Sequence, residues 1–126
     1  MKFDIAALER ALAEMRSQLG DGIIATGIWD RQTEEVYAAI NPQPTAITMF
    51  NALTDSIIAA LDNSKFPNLN RYYWVDLEDG HVAVVVRHGR DVMQGMLLDL
   101  SKSSIGVLMN VVIPRMLKQV EDARLD

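Results

Sequence analysis

The sequence predicts an α/β (α+β) fold: a five-stranded, mostly antiparallel sheet with helices on both faces, in the order α-β-β-α-β-β-β-α. Three observations predict it. Apolar residues recur at helical spacing in separated segments at the start, middle and end of the chain. Short runs rich in β-branched and aromatic residues lie between them, bounded by Gly, Asp and Asn. One of those runs, Val82-Ala83-Val84-Val85-Val86, is unbroken, which suits a central strand covered on both faces.

Taken in order, Ile5, Leu8, Leu12, Met15 and Leu19 form one apolar stripe flanked by Glu9, Arg10, Glu14 and Arg16. Asp4 is placed to cap this first helix and Gly20 to end it. Gly22 to Trp29 reads as a strand, Asp30 to Thr33 as a polar turn, and Glu35 to Ile40 as the second strand of a hairpin. Asn41-Pro42-Gln43-Pro44 is a connector, because each proline lacks an N–H and restricts the residue before it. Thr45 is then the expected cap of a second helix, Ala46 to Leu61.

Ile47, Phe50, Leu53, Ile57 and Leu61 line one side of that helix, and Met49, Ala52, Ile58, Ala59 and Ala60 carry the apolar surface further around it. Asp55 is its only charge. A helix apolar over so much of its girth expects contacts on two sides. Asp62 to Asn70 is a loop. Arg71 to Leu77 (RYYWVDL) is an aromatic strand, in which Tyr72, Tyr73 and Trp74 must point to alternate faces. Asp79-Gly80 signals a type I′ hairpin turn into the strand His81 to Arg87. Gly89-Arg90 turns again into Val92 to Leu100. The aromatic strand opens this three-strand meander and is a natural sheet edge, so something should cover it or pair with it. Ser101 to Ser104 caps a last helix with Ile105, Leu108, Met109, Val112, Met116 and Val120 in period. Pro114 sits inside that helix and should distort it near Asn110 to Ile113. Glu121 to Asp126 reads as frayed.

With 126 residues the chain has the size of one domain, residues 1–126, and 49% hydrophobic residues suffice for a core. The absence of cysteine excludes disulfides and thiolate metal sites. No run approaches the ~18 apolar residues of a membrane span, and the first residues lack the apolar core of a signal peptide. The expected location is cytoplasmic. A net charge of −5 opposes nucleic-acid binding, and no polybasic amphipathic stretch points to a membrane surface. A protein partner or a small ligand remains.

The chain offers no constellation for catalysis. No glycine precedes the Lys-Ser/Thr pair of a P-loop. Gly20, Gly22 and Gly27 fail the spacing of a dinucleotide fingerprint, and a hairpin follows where a helix is needed. His81 and His88 stand at opposite ends of one strand, roughly 20 Å apart, too far to share a metal, and read as surface hairpin residues. Asp76, Glu78 and Asp79 read as a solvated turn, since the loop lacks the length of a calcium loop. Ser101, Ser103 and Ser104 read as caps without an activating base. No catalytic, cofactor-binding or metal-ligating residue is expected, and so no enzyme.

The element order resembles the Roadblock/dynein light chain family, a relative of longin and profilin-like folds. The segment Asp21-Gly22-Ile23-Ile24-Ala25 after the first helix is similar to the family's glycine-led first strand. Asp30 to Thr33 matches its hairpin turn. Ser104-Ile105-Gly106-Val107-Leu108 looks like the opening of its last helix, with Ser104 where asparagine is common. The resemblance spans nearly the whole chain, and order and element length carry most of it. Glu34 to Ala39 departs from the small-residue pattern of the second strand, and Pro114 interrupts the last helix.

The resemblance implies a homodimer or heterodimer, in which middle helices pack together and third strands pair, and a small Ras-like GTPase as partner, as in bacterial MglB-type members. On this chain the expected seam is Met49, Phe50, Leu53 and Ile57 with Tyr72 and Trp74, consistent with the contacts that the second helix and the aromatic edge already require. Thr48, Asn51 and Asp55 are the residues expected to meet a partner beside that seam. A profilin-like sensor holding a small ligand between sheet and helix, and a purely structural dimerisation module, are the alternatives.

Overall fold

A computed structural model of the protein describes residues 2–125. Helix α1 (Ile5–Leu19) starts where the Asp4 carboxylate accepts the Ala7 N–H at 3.1 Å and ends at Gly20. Strands β1 (Ile23–Asp30) and β2 (Val36–Ile40) form the first hairpin. Its turn is built by Asp30, whose carboxylate accepts from the backbone N–H groups of Gln32 and Thr33 and from the Tyr37 hydroxyl. These bonds hold the Asp30 carboxyl below its ordinary pKa, with the Thr33 bond contributing most.

Helix α2 (Pro44–Asp62) begins earlier than the expected Thr45 cap. Pro44 occupies the first turn, where a missing N–H costs nothing and its fixed φ suits a helix, and Gln43 takes the cap position without a side-chain bond. Strands β3 (Tyr72–Asp76), β4 (His81–His88) and β5 (Val92–Asp99) form the meander. Between β3 and β4, Asp79 (φ 63°) and Gly80 (φ 75°) both take the left-handed conformation that a type I′ turn requires, and the His81 N–H closes it on the Glu78 carbonyl. Leu77 N–H also donates to the His81 carbonyl, so one extra residue bulges on the β3 side.

The five strands are ordered β2-β1-β5-β4-β3, with every neighbouring pair antiparallel. The last helix is one rod in three parts: α3 (Ile105–Val107), a π-helical turn (Leu108–Val112) and α4 (Ile113–Asp122). Ser104 caps it by accepting the Val107 N–H at 3.2 Å. The distortion expected from Pro114 is this π turn. Pro114 has no N–H to offer, and the Ile113 N–H instead reaches back to the Leu108 carbonyl.

Two cores result. The larger lies between the sheet and the α1/α4 layer and contains Leu8, Leu12, Met15, Val84, Leu98 and Met116. The smaller lies under α2 and contains Trp29, Ile47, Phe50, Ala83, Val85 and Met93. The valine run serves both: Val82, Val84 and Val86 enter the first, Ala83 and Val85 the second. The resulting strand is covered on both faces, as its composition predicts.

The described end of the chain is not frayed. Arg124 bridges to Phe3, Asp4 N–H donates to the Ala123 carbonyl at 2.8 Å, and Leu125 N–H to that of Lys2 at 3.0 Å. The Arg124 guanidinium lies 5.0 Å from the Phe3 ring centroid and binds Asp91 with two bonds of 2.9 and 3.1 Å. Arg124, with Lys2 as a second donor, holds the Asp91 carboxyl well below the usual carboxylate range. Met1 and Asp126 lie outside the described residues.

Candidate functional site: the α2 face and the β3 edge

Helix α2 is seated on the sheet through Ile47, Phe50 and Thr54. Phe50 stacks on Trp29, with centroids 6.4 Å and planes 14° apart. Both rings lie across Gly95, where a Cβ would come within 2.8 Å of Phe50 and 3.1 Å of Trp29, so the close approach of the helix needs glycine there. Phe50 therefore belongs to the chain's own core, at 7% exposure, and does not present itself at the surface as the sequence led us to expect. Thr54 is fully buried, and its hydroxyl shares a 2.7 Å hydrogen bond with that of Tyr73. Burial raises the Tyr73 pKa.

The polar residues expected to meet a partner are bonded to the β1–β2 turn. Trp29 Nε1–H donates to Asn51 Oδ1 at 3.1 Å, and Asn51 Nδ2 donates to the Arg31 carbonyl at 3.1 Å and to Glu34 at 3.0 Å. The Thr48 hydroxyl donates to Glu34 at 2.9 Å, and Asp55 pairs with Arg31. Thr48 and Asp55 remain exposed, while Asn51 is half-buried. The three side chains thus fix the turn against α2 and make one composite surface of the two. The readable signal was their spacing, 48, 51 and 55, a polar stripe on an apolar helix; their partners, Arg31 and Glu34, were not readable.

The outer flank of α2 is apolar. Met49 is 53% exposed, and Leu53 and Ile57 are half-buried. Beside Met49, between α2 and the sheet, runs an open groove of about 560 Å³. Small residues, Ala25, Gly27 and Ala39, keep it deep, Leu53 and Leu97 help wall it, and none of the described residues that line it is charged.

Strand β3 is an edge of the sheet, paired among the described residues with β4 alone. Tyr73 and Val75 pack with the core under α2. Tyr72 and Trp74 therefore point to the opposite face, 38% and 47% exposed. The residues expected to form a seam are thus split across both faces of one strand edge. At the start of β3, Arg87 N–H donates to the Arg71 carbonyl at 2.7 Å, and the Arg87 guanidinium holds the preceding loop through the carbonyls of Leu69 (2.9 Å) and Asn70 (3.1 Å). Burial first, then the nearby Arg31 and Arg90, lower the Arg87 pKa.

A polar cluster that the sequence reading missed lies in the larger core. His88, read as a surface hairpin residue, is 4% exposed, because the sheet and the end of the chain close over the end of β4. Its Nε2 lies 2.9 Å from Gln94 Oε1, Gln94 Nε2 donates to Thr26 Oγ1 at 3.2 Å, and Thr26 donates to the Gly95 carbonyl at 2.8 Å. A carboxamide oxygen only accepts, so Nε2 carries the proton, and the buried Nδ1 has no hydrogen-bond partner among the described residues. Burial lowers the His88 pKa from 6.5 to about 4. His81 lies at the other end of β4, half-buried, with Nδ1 3.3 Å from the Glu78 carbonyl.

No protein-family model and no curated protein matches the sequence. Solved structures match the fold. Myxococcus xanthus MglB superposes with a TM-score of 0.75 at 7% identity, covering 98% of this chain and 94% of that one. A Roadblock/LC7 domain from Streptomyces avermitilis gives 0.66 at 13% identity, covering 90% and 94%. An MglB described as having a tetrameric arrangement gives 0.68 at 16% identity, covering 94% and 93%. The strand order, the helices on both faces and the α2 layer described above are those of a Roadblock/LC7, MglB-like fold.

Proposed function

We propose that the chain is a dimeric regulatory module that binds a small Ras-like GTPase and modulates its nucleotide cycle. One observation carries this reading: in an MglB-like fold, the apolar residues Met49, Leu53 and Ile57 of α2 are left exposed or half-buried, and β3 is an aromatic strand edge with no second strand beside it among the described residues. Two copies joined at that edge bring both helices onto one side of a continuous sheet, and the two flanks then cover each other. Trp74 and Tyr72 meet their counterparts on the opposite face. The tetrameric arrangement of one MglB structure supports self-association of this fold.

The partner surface is the composite of α2 and the β1–β2 turn. Thr48 and Asp55 offer the contacts, and Asn51 positions the turn. The module supplies no catalytic group to the GTPase; it acts by binding one state of the switch segments better than the other. The test is sedimentation of the purified protein at micromolar concentration, followed by calorimetry with small Ras-like GTPases loaded with a non-hydrolysable GTP analogue. Thr48→Arg sets a bulky cation beside Glu34 and should abolish GTPase binding while leaving the dimer intact. A monomer, or no GTPase binding, rejects the reading.

The groove beside Met49 favours a second reading, a sensor for a neutral apolar ligand of pocket size. Binding of an uncharged apolar dye that persists in the dimer and is lost in Gly27→Leu would support the sensor.

A further inference from the structure

Four segments gather at one end of the sheet, and each brings an arginine. The register sets Asp30 beside Val92, Val92 beside His88 and Val86 beside Tyr72, so the ends of β1 and β4 lie with the starts of β5 and β3. Arg31 follows β1, Arg87 lies near the end of β4, Arg90 precedes β5 and Arg71 precedes β3. Backbone bonds tie these segments together: Arg31 N–H donates to the Asp91 carbonyl at 2.8 Å, and Arg87 N–H to that of Arg71 at 2.7 Å. After burial, the influences that lower the Arg87 pKa are Arg31 and then Arg90, so both guanidiniums lie near it.

The acids of this region are spent elsewhere. Asp55 pairs with Arg31, Asp91 is held by Arg124 and Lys2, and Asp30 accepts from its own turn. Arg71, Arg87 and Arg90 make no ion pair among the described residues. Like charges set opposite each other on paired strands are destabilising, as Arg71 and Arg87 are here. A chain of net charge −5 has acids to spare, yet these cations go without them and are left to an anion from outside.

Arg87 supplies the geometry. Both of its side-chain hydrogen bonds leave from Nη1, to the carbonyls of Leu69 and Asn70, and they fix the guanidinium plane. Its Nε is buried and has no hydrogen-bond partner among the described residues. Nε–H and one N–H of Nη2 run parallel along the other edge of the group. That edge is a fork able to hold two oxygens of one anion. A buried donor without an acceptor is costly, and an oxygen brought to this edge removes the cost.

We infer that this arginine crescent is a binding site for a diphosphate group, held side-on by the Nε–Nη2 edge of Arg87 and neutralised by Arg71 and Arg90. Charge number selects the ligand. A carboxylate offsets one of the three cations, whereas a diphosphate carries about three negative charges in a compact group. A nucleic-acid backbone needs a long basic track and would run on into Asp76, Glu78 and Asp79 at the far end of β3. Arg31, already paired with Asp55, adds to the field. The site requires neither the dimer nor the GTPase proposed above.

The experiment is calorimetry of the full chain with inorganic pyrophosphate, at low salt and without divalent metal ions. One pyrophosphate per chain should bind, with inorganic monophosphate about tenfold weaker. Arg87→Lys keeps the charge and loses the fork, and Arg90→Ala removes an exposed cation from a turn; each should weaken binding about tenfold. Arg10→Ala, at an exposed position of α1 on the other face of the sheet and without an ion pair among the described residues, should change nothing. In wild type the NMR signal of the Arg87 Nε–H should move as pyrophosphate is added. A nucleoside diphosphate that binds as tightly as pyrophosphate supports a site for the free diphosphate, and one that binds more tightly supports a nucleotide as its source. No binding of pyrophosphate, an Nε–H signal that stays in place, or an Arg10→Ala loss equal to that of Arg90→Ala overturns the site.

Discussion

Trp29 and Asn51 are joined by a 3.1 Å hydrogen bond from the indole N–H to the carboxamide oxygen, and through it the sheet, the first hairpin turn and α2 become one body. The indole ring sits in the core under α2 while its polar tip stops at the helix surface, where Asn51 also binds the Arg31 carbonyl and Glu34. The helix buries Ile47, Phe50 and Thr54 against the sheet, and the bonds of Asn51 stand beside those of Thr48 to Glu34 and of Asp55 to Arg31.

Asn51→Ala leaves the buried indole N–H and the Arg31 carbonyl without protein partners. It should lower stability by about 1–3 kcal/mol, measured by urea unfolding. Amide exchange should quicken first in the β1–β2 turn, since that turn loses its tie to α2. Unchanged stability would show that water replaces the carboxamide at no cost.

Gly95→Ala places a methyl within 2.8 Å of the Phe50 ring and should cost about 1–3 kcal/mol by overpacking. Phe50→Leu in the same chain should return part of the loss, because the offending ring edge is removed. Additive losses in a double-mutant cycle would place the strain elsewhere.

His88 predicts a pH dependence with a definite sign. Its folded pKa is about 4 against 6.5 for the unfolded chain, so between these values the unfolded state binds a proton that the folded state refuses. Stability is present in full above pH 6.5 and falls as pH drops toward 4, by about 3 kcal/mol in total. The charged groups around it are Arg124, which donates to the His88 carbonyl and opposes a second cation, and Glu121, which favours one. The depressed Asp91 and Asp30 carboxyls add their own losses only at lower pH. His88→Gln should flatten the slope of melting temperature between pH 7 and 5. An equal slope in both proteins would assign the acid sensitivity to other groups.

Gly80→Val forces a β-branched residue to φ 75° and should destabilise the β3–β4 turn by on the order of 1 kcal/mol or more, seen as a lower melting temperature. Asp79→Asn, which tolerates the same left-handed backbone, should be nearly neutral.

Periodicity made the element order legible. The stripe of α1, the valine run of β4 and the Asp79-Gly80 turn each carry their signal within a few residues, and each forms where it was read. What failed to show were pairings between distant segments. The inner face of α2 includes Thr54, a polar residue, because Tyr73 supplies its partner from a strand 19 residues away. His88 is buried because Gln94 and the returning Arg124 meet it there, and nothing in His81 to His88 announces either. Thr48, Asn51 and Asp55 were legible as a polar stripe, but their bonds to Arg31 and Glu34 depend on how the hairpin folds back over the helix. The seam residues read from α2 mixed inner and outer positions, since an apolar girth does not say which apolar side faces in.

The π turn before Pro114 acts as a phase correction. Leu108, Val112, Met116 and Val120 are all buried, yet they recur every four residues, and in a plain α-helix each such step swings the side chain about 40° further round the axis. Three steps would carry Val120 off the face that Leu108 begins. The wider turn at Leu108–Val112 winds back part of that drift, so that one straight line of contacts reaches from the start of the rod to its end. Pro114 makes the adjustment permanent: the amide that would restore the tighter winding at that point is missing. The helix thus keeps time with the sheet beneath it through one slow turn, and shortening that turn by a residue would rotate all of α4, with Met116 and Val120, away from the core they fill.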